Sequence, residues 1–108
     1  MRELFNWLAR QKGGVGTFEE FRQRCLAIRD KDPENAAMAR LLGDLSGRFA
    51  DAYDDQPLSV ATANEALARL QELMKRAVAA SAGTAADRLV LLNEISVADL
   101  DCTCQAVC

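Results

Sequence analysis

Three cysteines stand within the last seven residues of this chain, Cys102, Cys104 and Cys108 in the stretch CTCQAVC, and a fourth, Cys25, lies far upstream. As thiolates they are soft donors suited to Cu(I) or Zn. The spacing Cys-x-Cys-x-x-x-Cys supplies three ligands, and Cys25 completes four if the fold carries it to the tail. Neighbouring thiols can also cycle between dithiol and disulfide. Cys25 has two aspects of its own. Arg22 at i−3 and Arg29 at i+4 would favour its thiolate, yet it also falls in line with Phe18, Phe21 and Ile28, where a thiol packs as a small hydrophobe. The chain has no histidine, so the commonest general base and the commonest transition-metal ligand are both missing. No two groups are spaced for acid–base or nucleophilic work, and the expectation is a protein that is not an enzyme.

Two other stretches invite chemistry and carry none. Lys12 to Thr17 reads KGGVGT. A phosphate-binding loop of this kind places a second lysine directly before its threonine and follows a buried strand. Here Gly16 precedes Thr17, and the preceding segment is an amphipathic helix, so the glycines read as a helix C-cap and a flexible turn. Asp51, Asp54 and Asp55 lack the alternating ligands and the glycine of a calcium loop and read as solvated. The layout of the whole, a helical body ending in a short tail rich in Cys and Thr, resembles that of precursors of ribosomally made, modified peptides. The resemblance covers the layout alone, with no double-glycine cleavage signal before the tail; it implies a tail that other enzymes modify.

The elements that must position these residues are helices. Ala and Leu dominate the apolar set while Val and Ile are sparse, which favours helix over sheet. Met1 to Gln11 places Met1, Leu4, Phe5 and Leu8 on one face with Trp7 at its edge. Thr17 with Glu20 is a capping box opening a second helix that ends near Asp30-Lys31. Asp32 and Pro33 then read as N-cap and first position of a central helix running to Tyr53. That helix has a bulky stripe (Met38, Leu41, Leu42, Leu45, Phe49, Ala52), a small-residue stripe (Ala39, Gly43, Ser46, Gly47, Ala50) and a charged third. Ser59 or Thr62 starts the longest helix, to about Ser81, with a seam of Leu67, Leu70 and Met74 and Glu65–Arg69 and Glu72–Arg76 pairs along its outer face. The seam is the expected partner of the bulky stripe. Thr84 caps a shorter helix with apolar contacts from Leu89 and Leu92, joined by Val90, Leu91 and Ile95, and Ser96 to Asp99 offers a further helix start.

The fold expected is therefore all-α: a small antiparallel bundle of four main helices plus a short C-terminal helix, with residues 1–101 as one domain and 102–108 as a Cys-rich tail. Charge is uneven. Residues 1–31 carry +3 and residues 32–108 carry −6, within a net charge of −3. An acidic body excludes general nucleic-acid binding, which needs a broad basic surface. No apolar run approaches the roughly 18–20 residues needed to span a bilayer, no signal-peptide pattern opens the chain, and the expected location is the cytoplasm. The function expected is a protein–protein interaction or regulatory module, with Ala39, Gly43, Gly47, Ala50 and Trp7 as contact residues for another protein or a homodimer copy, and the small stripe serving either that contact or a tight internal crossing. Two alternatives stand beside it: a Cu(I)/Zn or redox protein built on the tail thiols, and a modified-peptide precursor.

Overall fold

The structure, a computed structural model, describes residues 1–100. Its elements are α1 (Arg2–Ala9), α2 (Val15–Lys31), α3 (Ala36–Ala52), α4 (Val60–Ser81) and α5 (Ala85–Val97), with no strand among the described residues. The all-α class holds, with the helices at the places their apolar periodicity marks.

Their principal contacts run α2 to α3, α3 to α5, α5 to α4, α4 to α1, and α1 back to α2. Five helices thus close a ring around one core. Phe18, Phe21, Leu42, Leu70 and Met74 lie at its centre with no exposed surface. The bulky stripe of α3 and the seam of α4 share this core, although α3 takes α2 and α5, not α4, as its adjacent neighbours.

Several boundaries differ from the sequence reading, each for a local reason. The chain turns between α1 and α2 at Gly13 (φ +85°) and Gly14 (φ +148°), conformations that side chains rarely adopt. With the turn made there, α2 begins at Val15, one turn early, and Gly14 is its N-cap without a side-chain bond. The Thr17–Glu20 capping box goes unused, and Glu20 pairs with Arg24 at 2.7 Å. Regular α3 starts at Ala36 after a turn over 33–35. Asp32 serves that turn, accepting from the Asn35 amide at 2.8 Å, and this bond with Asn35 lowers its pKa. Ser59, rather than Thr62, caps α4, accepting from the Thr62 N–H at 3.1 Å. Thr84 and Asp87 form a complete capping box on α5.

The arginines of α4 reach across the ring instead of along their own helix. Arg76 pairs with Glu94 of α5, and Arg69 donates to the Leu100 carbonyl at 2.6 Å. No helix begins at Ser96. Ala98 is extended, and the short segment to Leu100 is tied down by Arg69 and by Arg48 of α3, which donates to the Ala98 carbonyl at 3.3 Å. Leu100 is buried.

Truncating Leu70 to Ala empties the centre of this ring and should cost about 2–5 kcal/mol, a large part of a stability of roughly 5–15 kcal/mol. A thermal melt should show Leu70→Ala lower by about 10 °C or more, while Val60→Ala, at a residue 76% exposed, should leave the midpoint unchanged. A neutral Leu70→Ala would overturn its central placement.

Candidate functional site

The small-residue stripe of α3 is fully used inside the chain. Ala39, Gly43, Gly47 and Ala50 are buried, and α2 is a principal neighbour of α3. A Cβ built on Gly43 would stand 3.0 Å from Cys25 Cβ and 3.6 Å from the Arg22 carbonyl oxygen; one on Gly47 would stand 2.5 Å from Arg22 Cδ. Between them Ser46, also buried, donates to the Phe18 carbonyl at 2.7 Å. Of the two roles expected for the stripe, this is the tight internal crossing. The four residues expected to meet a partner are buried within the chain, and at Gly43 and Gly47 atoms of α2 stand where a partner would need room.

Trp7 is occupied as well. The Arg24 guanidinium lies 4.4 Å from its ring centroid, a cation–π contact that joins α1 to α2. Gln71 of α4 donates to the Leu8 carbonyl at 3.1 Å, so α1 is fastened on both sides.

Cys25 sits in the α2–α3 crossing with no exposed surface. Burial pushes its thiol up to about 12, the reverse of what a thiolate ligand or nucleophile needs. The neighbouring arginines do not offset this. Arg22 turns its guanidinium to Glu19 at 2.9 Å, and Arg29 pairs with Asp30 at 3.0 Å. Cys25 is therefore a core residue, buried in the crossing of α2 and α3. Cys102, Cys104 and Cys108 lie outside the described residues. Among the described residues no group of three or more His, Cys, Asp or Glu is gathered for a metal ion.

One surface was not anticipated from sequence. Leu91 and Ile95 of α5 are buried and Leu92 is half-buried, whereas Leu89 and Val90 are 57% and 58% exposed and Val97 is 83% exposed. At 3.6 residues per turn the exposed Ala86, Leu89, Val90, Asn93 and Val97 share one face. Ala86, Val90, Asn93 and Val97 are spaced four, three and four apart, the period of a helix-pairing seam. The run Leu89-Val90-Leu91-Leu92 hides this, because four consecutive apolar residues mark no face. The seam spacing through Asn93 was the signal that could have found it.

Two measurements test these placements. Gly43→Val should cost about 1–3 kcal/mol, as overpacking does, whereas Gly16→Val, where a Cβ meets nothing within 4 Å, should cost less than half of that; equal effects would remove the close crossing. The raised Cys25 pKa also makes stability depend on pH. The folded state holds the proton until about 12, while the unfolded thiol loses it near its ordinary value of 9.0. The contribution is full below 9 and fades as pH rises toward 12, by up to about 1.4 kcal/mol per pH unit. Chemical denaturation at pH 8 to 11 should show wild type losing stability faster than Cys25→Ala; parallel curves would place the thiol in water.

Comparison with protein-family models, with curated proteins and with solved structures finds no match to this chain, so its function rests on the geometry described above.

Proposed function

We propose that the chain is a cytoplasmic protein–protein interaction module, not an enzyme, and that its contact surface is the outer face of α5, with a second copy of the chain as the occupant. One observation carries this reading: Val90 and Val97, with Leu89 beside them, are large, apolar and exposed on a single face at seam spacing. The other contact residues expected from sequence are buried or covered, as described.

The seam favours a like partner. With Val90 and Val97 at a positions and Ala86 and Asn93 at d, a parallel pair sets each residue opposite its own copy. Valine at a suits two strands. The amide of Asn93 both donates and accepts, so it is self-complementary. An antiparallel pair would instead bring the edge carrying Asp87 and Glu94 against the same edge of the copy. At 13 residues α5 is too short to hold a coiled coil alone. Here the ring already holds it as a helix, so association does not have to order it.

Sedimentation velocity or light scattering on the purified chain at tens of micromolar should report a dimer. The double variant Val90→Asp/Val97→Asp should be monomeric over the same range, a shift in dissociation constant of at least about tenfold, with its circular dichroism unchanged because both sites are exposed. A monomeric wild type, or a variant that remains dimeric, would overturn the reading.

A further inference from the structure

We propose that the groove between α4 and α5 receives Leu89 of a second copy, so that each chain of the dimer completes a site on the other. The inference rests on the α5 pairing proposed above and concerns what else that pairing must cover. At 1.5 Å per residue the 13 residues of α5 make a strip roughly 20 Å long and about 10 Å wide. That is on the order of 200 Å², whereas a stable interface takes roughly 600 Å² or more from each partner. The contact therefore spreads onto a neighbouring helix. The flank toward α3 carries the exposed Arg48, which is bonded to the Ala98 carbonyl. The flank toward α4 carries a groove of about 270 Å³, lined by Ala79, Ala80, Val90 and Leu91 together with Arg76 and Asp87.

The register of the pair selects the group that enters. Leu89 is 57% exposed, but it lies roughly 200° around α5 from Asp87 and roughly 140° from Glu94, on the edge away from α4 of its own chain. With Val90 and Val97 at a, Leu89 is a g residue, while Asp87 and Glu94 are e residues. A parallel pair sets the g edge of one helix against the e edge of the other. Beyond that e edge stands α4 of the copy, its Arg76 bonded to Glu94. Leu89 of each chain thus arrives over the groove of the other. A cavity of about 150 Å³ is enough to admit benzene, so the groove has room for a leucine side chain. Its charged groups are already bonded, Arg76 to Glu94 and Asp87 to the Thr84 N–H at 3.1 Å, so an entering apolar group leaves neither without a partner. An antiparallel pair would set the two Leu89 edges together and leave both grooves open.

The test uses the full chain, reduced, with Leu89→Ala and Ala79→Gln made separately. Both residues are exposed, and circular dichroism should be unchanged in each variant. Either substitution removes both symmetry-related contacts and should weaken the dimer about tenfold in sedimentation velocity. Mixed one to one, the two variants form a mixed dimer that keeps one contact, Leu89 of the Ala79→Gln chain in the unaltered groove of the other. Native mass spectrometry, which separates the three dimers by mass, should find that mixed dimer above its statistical proportion, about threefold tighter than either parent. A statistical mixture, or single variants as tight as wild type, would overturn the groove contact and leave the pairing through Val90 and Val97 standing. A monomeric wild type would overturn both.

Discussion

Gly43 and Gly47 allow α3 to approach α2 until Cys25 and Arg22 fill the room where their own side chains would stand, and Ser46 ties the Phe18 carbonyl within the same crossing. Glycine in a helix interior costs about 1 kcal/mol relative to alanine, and a buried hydroxyl is tolerated only when bonded. The close approach offsets both. Phe18 then meets Phe49 with ring centroids 4.6 Å apart. With one stripe of α3 set against α2, its bulky stripe turns to the middle. The other three helices complete the enclosure: α5 lies against α3 and α4, and α1 against α4 and α2.

How much of this was legible follows from what each residue type specifies locally. Thr84 and Ser59 act through bonds to amides three residues away, so the Thr84 cap could be read directly and the start of α4 narrowed to Ser59 or Thr62. The start of α2 could not. Gly13 and Gly14 permit a turn without dictating where it ends, and a helix that can begin at Val15 gains a turn of backbone bonds over one that waits for Thr17. Asp32 has the chemistry of a cap and uses it on Asn35, one turn before the regular helix. The inner face of α5 was hidden for a different reason: residues 89–92 are all apolar and their run marks no face, so only the spacing of Ala86, Val90, Asn93 and Val97 around it distinguishes the outer side.

The same limit applies to the candidate sites. A stripe of small residues says that something approaches closely, but its sequence is the same whether that is a helix of the same chain or of another. Trp7 at the edge of an apolar face reads as a contact residue for a partner, and within the chain its ring lies against the Arg24 guanidinium. For Cys25 the flanking arginines and the apolar stripe gave opposite indications. Burial decides between them, since desolvation acts on the thiol itself while both cations are engaged by carboxylates. The long-range use of arginine was the least visible of all. Arg48, Arg69 and Arg76 have carboxylates nearby in sequence, yet they bond to groups at 98, 100 and 94.

The fastening of α1 sets where this ring opens. It has only eight residues and no side-chain cap at its start, too few to persist as a helix in water by itself. Its order is borrowed from Leu4 and Leu8 in the core, from Arg24 over Trp7, and from the Gln71 bond, which joins residues 63 apart in sequence. The α2–α3 pair, in contrast, is adjacent in the chain and needs little loop closure to form. Two levels of protection against hydrogen exchange are the expected consequence: amides of α2 and α3 should be released only with global unfolding, and those of α1 through a local opening that leaves the other four helices in place.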